Sequence, residues 1–147
     1  MIDRGHIGVN SGERFIDVEH GQLRLFCQAI GETNPIFWDA AAAKAAGYPD
    51  CPIPPTFPLA LAVLAPAKID LVIDVLGASL GRLLHGAQGF KYHHPIYGGD
   101  RVQILTSIAD IYDKKNGALE FVVQETTVHD QDGRLCCTIS STIVVRN

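Results

Sequence analysis

The sequence predicts an α+β fold: an antiparallel meander packed on a mostly buried helix. Three observations predict it. Apolar residues recur at helical spacing through the first half of the chain, and the period changes to that of strands from Leu83 onward. Two strong hairpin signals, Asn116-Gly117 and Asp132-Gly133, divide the second half into three long runs. Between the halves, Leu59, Leu61, Ala62, Val63 and Leu64 leave almost no polar face, and a helix apolar all round is a buried one.

The elements follow in chain order. Glu19 to Ile30 carries Leu23, Phe26, Cys27 and Ile30 at helical spacing, and Gly31 stands where a helix end favours a left-handed residue. Asn34-Pro35 signals a turn. Asp39 is placed to cap a short Ala-rich helix, Ala40 to Ala46, closed by Gly47. The proline-dense stretch Cys51 to Pro58 reads as extended. Thr56 is positioned to cap the apolar helix that follows, with Pro58 in its first turn. Asp70 to Leu76 reads as a further short helical stretch ending near Gly77. Gly86 to His93 is expected to be a strand with a polar and aromatic face, and Pro95 to Asp100 a turn. Arg101 to Tyr112, Leu119 to His129 and Arg134 to Val145 are the three long strands. In the last, Leu135, Cys137, Ile139, Ile143 and Val145 face one way and Thr138, Ser140 and Thr142 the other.

A chain of 147 residues is long enough for one domain, residues 1–147, and its 47% hydrophobic content is enough to fill a core. A net charge of −4 argues against a nucleic-acid partner, and the absence of Lys/Arg runs argues against an anionic membrane surface. The apolar run from Phe57 to Leu76 is interrupted by Lys68, Asp70, Asp74, Pro58 and Pro66, which excludes it as a membrane span. The opening residues carry no apolar signal core. Cys27, Cys51, Cys136 and Cys137 form no CxxC pair, and the adjacent Cys136 and Cys137 are expected on opposite faces of a strand. A reduced, cytoplasmic protein is therefore expected, with neither a disulfide framework nor a zinc motif.

The segment Phe26-Cys-Gln-Ala-Ile-Gly-Glu-Thr-Asn-Pro-Ile-Phe-Trp-Asp39 resembles the hydratase motif of the MaoC-like family of (R)-specific enoyl-thioester hydratases and dehydratases. That motif reads Gly-Asp-x-Asn-Pro-x-His after a helix; here the frame is Gly31-Glu32-Thr33-Asn34-Pro35-Ile36-Phe37. Pro54-Pro55-Thr56-Phe57, then Leu84-His85-Gly86-Ala87-Gln88-Gly89-Phe90-Lys91-Tyr92-His93-His94-Pro95, then Gly99-Asp100, are similar to the FAS1-like dehydratase branch. The resemblance implies a hotdog fold, a sheet wrapped around a central helix. It also implies reversible addition of water to a trans-2-enoyl thioester carried on CoA or ACP. In such a site an Asp and a His move the protons of one water, and backbone N–H groups hold the thioester oxygen, with no cofactor or metal.

Two positions depart from the motif. Glu32, one methylene longer, replaces the Asp, and Phe37, which has no lone pair, replaces the His. Two repairs are open. His85, beside Gly86 and Gln88, supplies the imidazole, or the competent pair lies on another hotdog subunit in a homodimer or heterodimer. The first repair casts Glu32 as base or water-holder and His85 as acid or orienter, with Asn34 fixing the water or the loop. Thr56, Phe57 and Gly86 then lie near the thioester, Gln88 orients the histidine or donates to a carbonyl, and Phe37 walls the acyl tunnel. The second makes this chain a silent acyl-binding subunit, and a hotdog thioesterase is a further alternative. Plainer readings stand beside these. Glu32 is a solvated loop carboxylate, Asn34 an Asx-turn residue and His85 a satisfied strand histidine. Tyr92 and His93 pack or hydrogen-bond across strands, and His93 and His94 point apart, which disfavours a metal pair.

Overall fold

Hairpin chemistry organises the sheet. In the computed structural model, which describes residues 1–114 and 116–147, both Asn116 (φ 54°) and Gly117 (φ 82°) adopt the left-handed backbone that a tight hairpin demands. Lys115 of the same turn lies outside the described residues. The turn joins β3 (Arg101–Lys114) to β4 (Leu119–His129), and a second turn around Gly133 (φ 78°) joins β4 to β5 (Leu135–Arg146). With β1 (Arg14–Asp17) and β2 (Leu83–Tyr92) these form one antiparallel sheet of five strands, in the order β1-β3-β4-β5-β2. The β3-β4-β5 meander is as expected. The four-residue β1 has too short an alternation to read from sequence, and β2 begins three residues before the expected Gly86.

Three α-helices pack with the sheet: α1 (His20–Ile30), α2 (Ala40–Ala45) and α3 (Phe57–Leu64). Gly31 ends α1 in the left-handed region (φ 71°, ψ 26°) and donates to the Cys27 and Gln28 carbonyls. Asp39 caps α2, accepting from the Ala41 N–H at 2.9 Å. Asp70 accepts the Val72 and Ile73 N–H groups, each at 2.8 Å, and so starts a π-helical turn, Leu71–Val75, in the expected short helix.

The main core joins α1, α3 and the sheet through Leu23, Phe57, Leu61, Val102, Ile104, Val128 and Ile139. Phe26 meets Phe57 edge-on, with ring centroids 5.1 Å apart. A second cluster, with Leu71, Val72, Ile108, Ile111, Val122 and Val145, packs the π-helical turn against β3, β4 and β5. Cys136 and Cys137 are both buried, so both faces of β5 are covered where it begins.

Two expectations about α3 are corrected. It is not buried all round: Phe57, Pro58 and Leu61 are buried, but Val63 is 77% and Leu64 51% exposed. One sheet covers only one side of a helix, and the other side stays open in this chain. Thr56 does not cap it with its side chain. Its backbone is already helical (φ −96°, ψ −2°), and the Phe57 N–H donates to the Pro54 carbonyl at 3.0 Å instead.

Candidate functional site

The left-handed turn at Gly31 folds the chain back so that the Glu32 N–H meets the Cys27 carbonyl at 2.8 Å. Glu32 Oε1 then accepts the Asn34 N–H at 2.8 Å. Asn34 Oδ1 accepts the Ile36 N–H at 3.2 Å and starts a single 3-10 turn, Pro35–Phe37. The Cys27 thiol points at the Phe37 carbonyl from 3.9 Å. Both polar side chains of the motif are thus engaged in shaping its own loop. Glu32 lines a cleft of about 360 Å³ with Arg24, Cys27, Gln28, Thr33 and Trp38; no histidine is among these residues. Phe37 is half-buried beside it.

His85 stands elsewhere, exposed on the edge strand β2. Its Nε2 lies 3.1 Å from Gln88 Oε1, which also accepts from the Ser141 hydroxyl at 2.8 Å. An amide oxygen has no proton to give, so in this pair His85 donates through Nε2. Gln88 therefore orients the histidine, its amide nitrogen tied to the Ser140 carbonyl at 3.1 Å. His85 lines a small cavity of about 200 Å³ with residues that include Leu84, Gln124 and Asp70, and the Asp70 carboxylate is spent on its helical turn. The Glu32 cleft and the His85 cavity share no lining residue, so this chain does not bring the two side chains to one cleft.

Of the residues expected near a thioester, Gly86 and Phe57 have structural duties. Gly86 sits at a β-bulge, where the β2-β5 register shifts between His85 and Ala87. A Cβ there would stand 2.7 Å from Val144 Cγ2 and 3.2 Å from the Thr142 carbonyl oxygen. Phe57 is core, and Thr56 is exposed without a side-chain cap bond. The first turn of α3 has little to offer an oxyanion. Pro58 has no N–H, and the Phe57 and Leu59 N–H groups donate to the Pro54 and Thr56 carbonyls.

Two features escaped the sequence reading. Tyr92 donates its hydroxyl to the Pro55 carbonyl at 2.6 Å and closes a mainly apolar cleft of about 390 Å³ between the proline segment and the start of β5. The paired prolines and Tyr92 were the available signal. Arg14, on β1, reaches under the end of α3, donating to the Ala62 carbonyl at 2.9 Å and to the Thr106 hydroxyl at 2.8 Å. It lines a cavity of about 310 Å³ with Thr126, Gln124 and Ser141, which adjoins the His85 cavity through Asp70 and Gln124. No local pattern marks Arg14, because its partners lie 48 and 92 residues away.

The chain is similar to known proteins along most of its length. Residues 5–139 match the FAS1-like, dehydratase domain region. The chain belongs to the FAS1-like dehydratase family. Relatives include a UPF0336 protein of Saccharopolyspora erythraea, 36% identical over 132 residues, covering 88% of this chain and 81% of the relative. The fold is that of the C-terminally truncated HadBC (3R-hydroxyacyl-ACP dehydratase) complex from Mycobacterium tuberculosis, with a TM-score of 0.75 at 24% identity, covering 95% of this chain and 96% of that one. R-hydratase PhaJ1 from Pseudomonas aeruginosa superposes with a TM-score of 0.72 at 19% identity, over 96% of this chain and 82% of that one. The expected hotdog architecture is thereby shown. Among the described residues of this family member, no helix is long and apolar enough to cross a membrane.

Proposed function

We propose that this chain is the acyl-binding, catalytically silent subunit of an enoyl-thioester hydratase/3-hydroxyacyl-thioester dehydratase, with the acid and base supplied by a second hotdog subunit. One observation carries the reading. At the motif positions that should move protons, the carboxylate of Glu32 is closed onto the Asn34 N–H, the ring at 37 is a phenyl, and no histidine lines the Glu32 cleft. Hydration needs one group to take a proton from water as the C3–O bond forms and one to deliver a proton to C2. A phenyl ring does neither.

What remains serves binding. The cleft beside Tyr92 is walled mainly by prolines, Ile53 and Ile96, with His93 and His94 also lining it, and the cavity under α3 sets apolar side chains beside Arg14, Asp70 and a few hydroxyl and amide groups; the apolar walls suit an acyl chain. Val63, Leu64 and Leu84 are exposed on α3 and β2, and β2 is a ten-residue edge strand with one unpaired side. Such an edge beside exposed apolar side chains favours a second hotdog subunit as the partner, and the fold is shared with a dehydratase complex.

The test is hydration of a trans-2-enoyl-CoA and of the matching enoyl-ACP. The purified chain is assayed alone, then with a co-expressed hotdog homologue carrying Gly-Asp-x-Asn-Pro-x-His. No turnover alone and turnover with the partner is expected. A second reading draws on the oriented His85: turnover by the chain alone, abolished in His85→Ala, would replace the silent-subunit reading with an autonomous enzyme.

A further inference from the structure

His20, the first residue of α1, meets the loop before the proline segment, outside the clefts assigned above to acyl binding. Its Nε2 lies 2.6 Å from Asp50 Oδ1. Cys51 joins them, and the three donor atoms, one nitrogen, one oxygen and one sulfur, all lie within 4.8 Å of one another. The cluster is held from several sides. Asp50 Oδ1 also accepts the Cys51 N–H at 2.7 Å, and the Gly98 N–H donates to the Cys51 carbonyl at 2.8 Å. Gly98 is buried against it, so close that a Cβ there would stand 2.7 Å from His20 Nε2 and 3.0 Å from Asp50 Oδ1. One side stays open, because His20 and Asp50 also line a wide cleft of about 570 Å³ with Arg24, Trp38 and Asp39.

We propose that His20, Asp50 and Cys51 form a binding site for a divalent transition-metal ion of the Zn²⁺ class, with a fourth coordination position open to the cleft. Imidazole nitrogen, carboxylate oxygen and thiolate sulfur are the three donor types that zinc takes, and three protein ligands with one open position is a recurrent zinc arrangement. The nitrogen and sulfur donors select against Mg²⁺ and Ca²⁺, which prefer all-oxygen sites. Donors at about 2.0–2.3 Å from a tetrahedral ion stand roughly 3.2–3.8 Å apart. The His20–Asp50 pair must therefore open slightly and the Cys51 sulfur draw in, movements of about 1 Å or less that side-chain rotation supplies. On binding, the thiol proton of Cys51 leaves to solvent and the thiolate takes the metal. Burial, with the charges of Asp50 and Asp39, pushes that thiol's pKa up, so the proton is present until the ion displaces it. Sequence spacing gives no sign of the site, since His20 precedes Asp50 by 30 residues and Cys51 by 31.

The test is a titration of the full, untagged chain with Co²⁺, followed by displacement with Zn²⁺. The expected result is a thiolate-to-cobalt charge-transfer band in the near ultraviolet, absent in Cys51→Ala, and Zn²⁺ affinity at least about 100-fold weaker in His20→Gln, as befits loss of a direct ligand. A Co²⁺ spectrum without the thiolate band, or Zn²⁺ affinity in His20→Gln equal to that of the unaltered chain, overturns the proposal. His20 is partly exposed, so its variant and the unaltered chain's own spectrum decide the matter even if the buried Cys51→Ala fails to fold.

Discussion

The Asn34 backbone N–H donates to Glu32 Oε1 at 2.8 Å, so the carboxylate at the family's Asp position closes its own turn. Replacing Glu32 by Ala should therefore act on the loop rather than on proton transfer. The expected stability loss is about 0.5–2 kcal/mol, the usual cost of a lost local acceptor. Turnover of the proposed two-subunit enzyme should stay within about threefold, whereas loss of a true general base lowers turnover about 100-fold or more. Thermal melts and steady-state kinetics of the assembled enzyme check both halves.

Gly86→Ala places a methyl group 2.7 Å from Val144 Cγ2 at the bulge of β2. The backbone carbonyl of Thr142 on the same side cannot rotate away, so a destabilisation of about 1–3 kcal/mol is expected. Adding Val144→Ala removes the nearer obstacle, and the double variant should lose less than the sum of the two single changes. Urea denaturation of the four species measures this coupling.

Asp130 and Glu120 should set the acid limit of stability. Burial pushes the Asp130 carboxyl up, but the backbone N–H and guanidinium of Arg134 and the Asp132 N–H outweigh it and hold it below its ordinary 3.8. Burial likewise pushes Glu120 up, and the Asn147 amide, the Ile2 N–H, the N-terminal ammonium and Arg82 outweigh it, leaving it below 4.5. A carboxylate depressed on folding binds fewer protons folded than unfolded. Its contribution is complete above the ordinary value and is lost as pH falls through the folded one. Asp130→Asn should thus lower the melting temperature at pH 7, and its deficit relative to the parent should shrink below about pH 4. Melts from pH 7 to pH 3 show the convergence. A deficit that does not change with pH would remove the linkage.

Leu64 and Val63, at 51% and 77% exposure, mark the open side of α3. Leu64→Asp should leave the isolated chain's stability within about 0.5 kcal/mol, as surface changes do. If this side meets the second subunit, burying that charge should weaken association at least about tenfold. Sedimentation of the chain with the proposed hotdog partner measures the affinity, and unchanged association would move the interface elsewhere.

How much was legible follows from the range over which each force acts. Gly31, Asp39, Asn116-Gly117 and Gly133 were readable because caps and hairpin turns act over a few neighbouring residues. Each behaves as its local chemistry requires. The family was legible through motif order, and so was the break in the dyad at Glu32 and Phe37. The pairing of β1 with β3 was not legible, because four residues are too few to show a period.

From residue order came the α+β class and the meander, consequences of local propensity and patterning, while the hotdog architecture and the two altered motif positions came from the resemblance to the family's motifs. Only the folded chain decided that Glu32 and His85 line separate cavities, that α3 keeps an open apolar side, and that His20 meets Asp50 and Cys51. Those placements depend on which strands neighbour one another and on how helices settle on a single sheet. Contacts between residues tens of positions apart leave no period or spacing in the sequence to read.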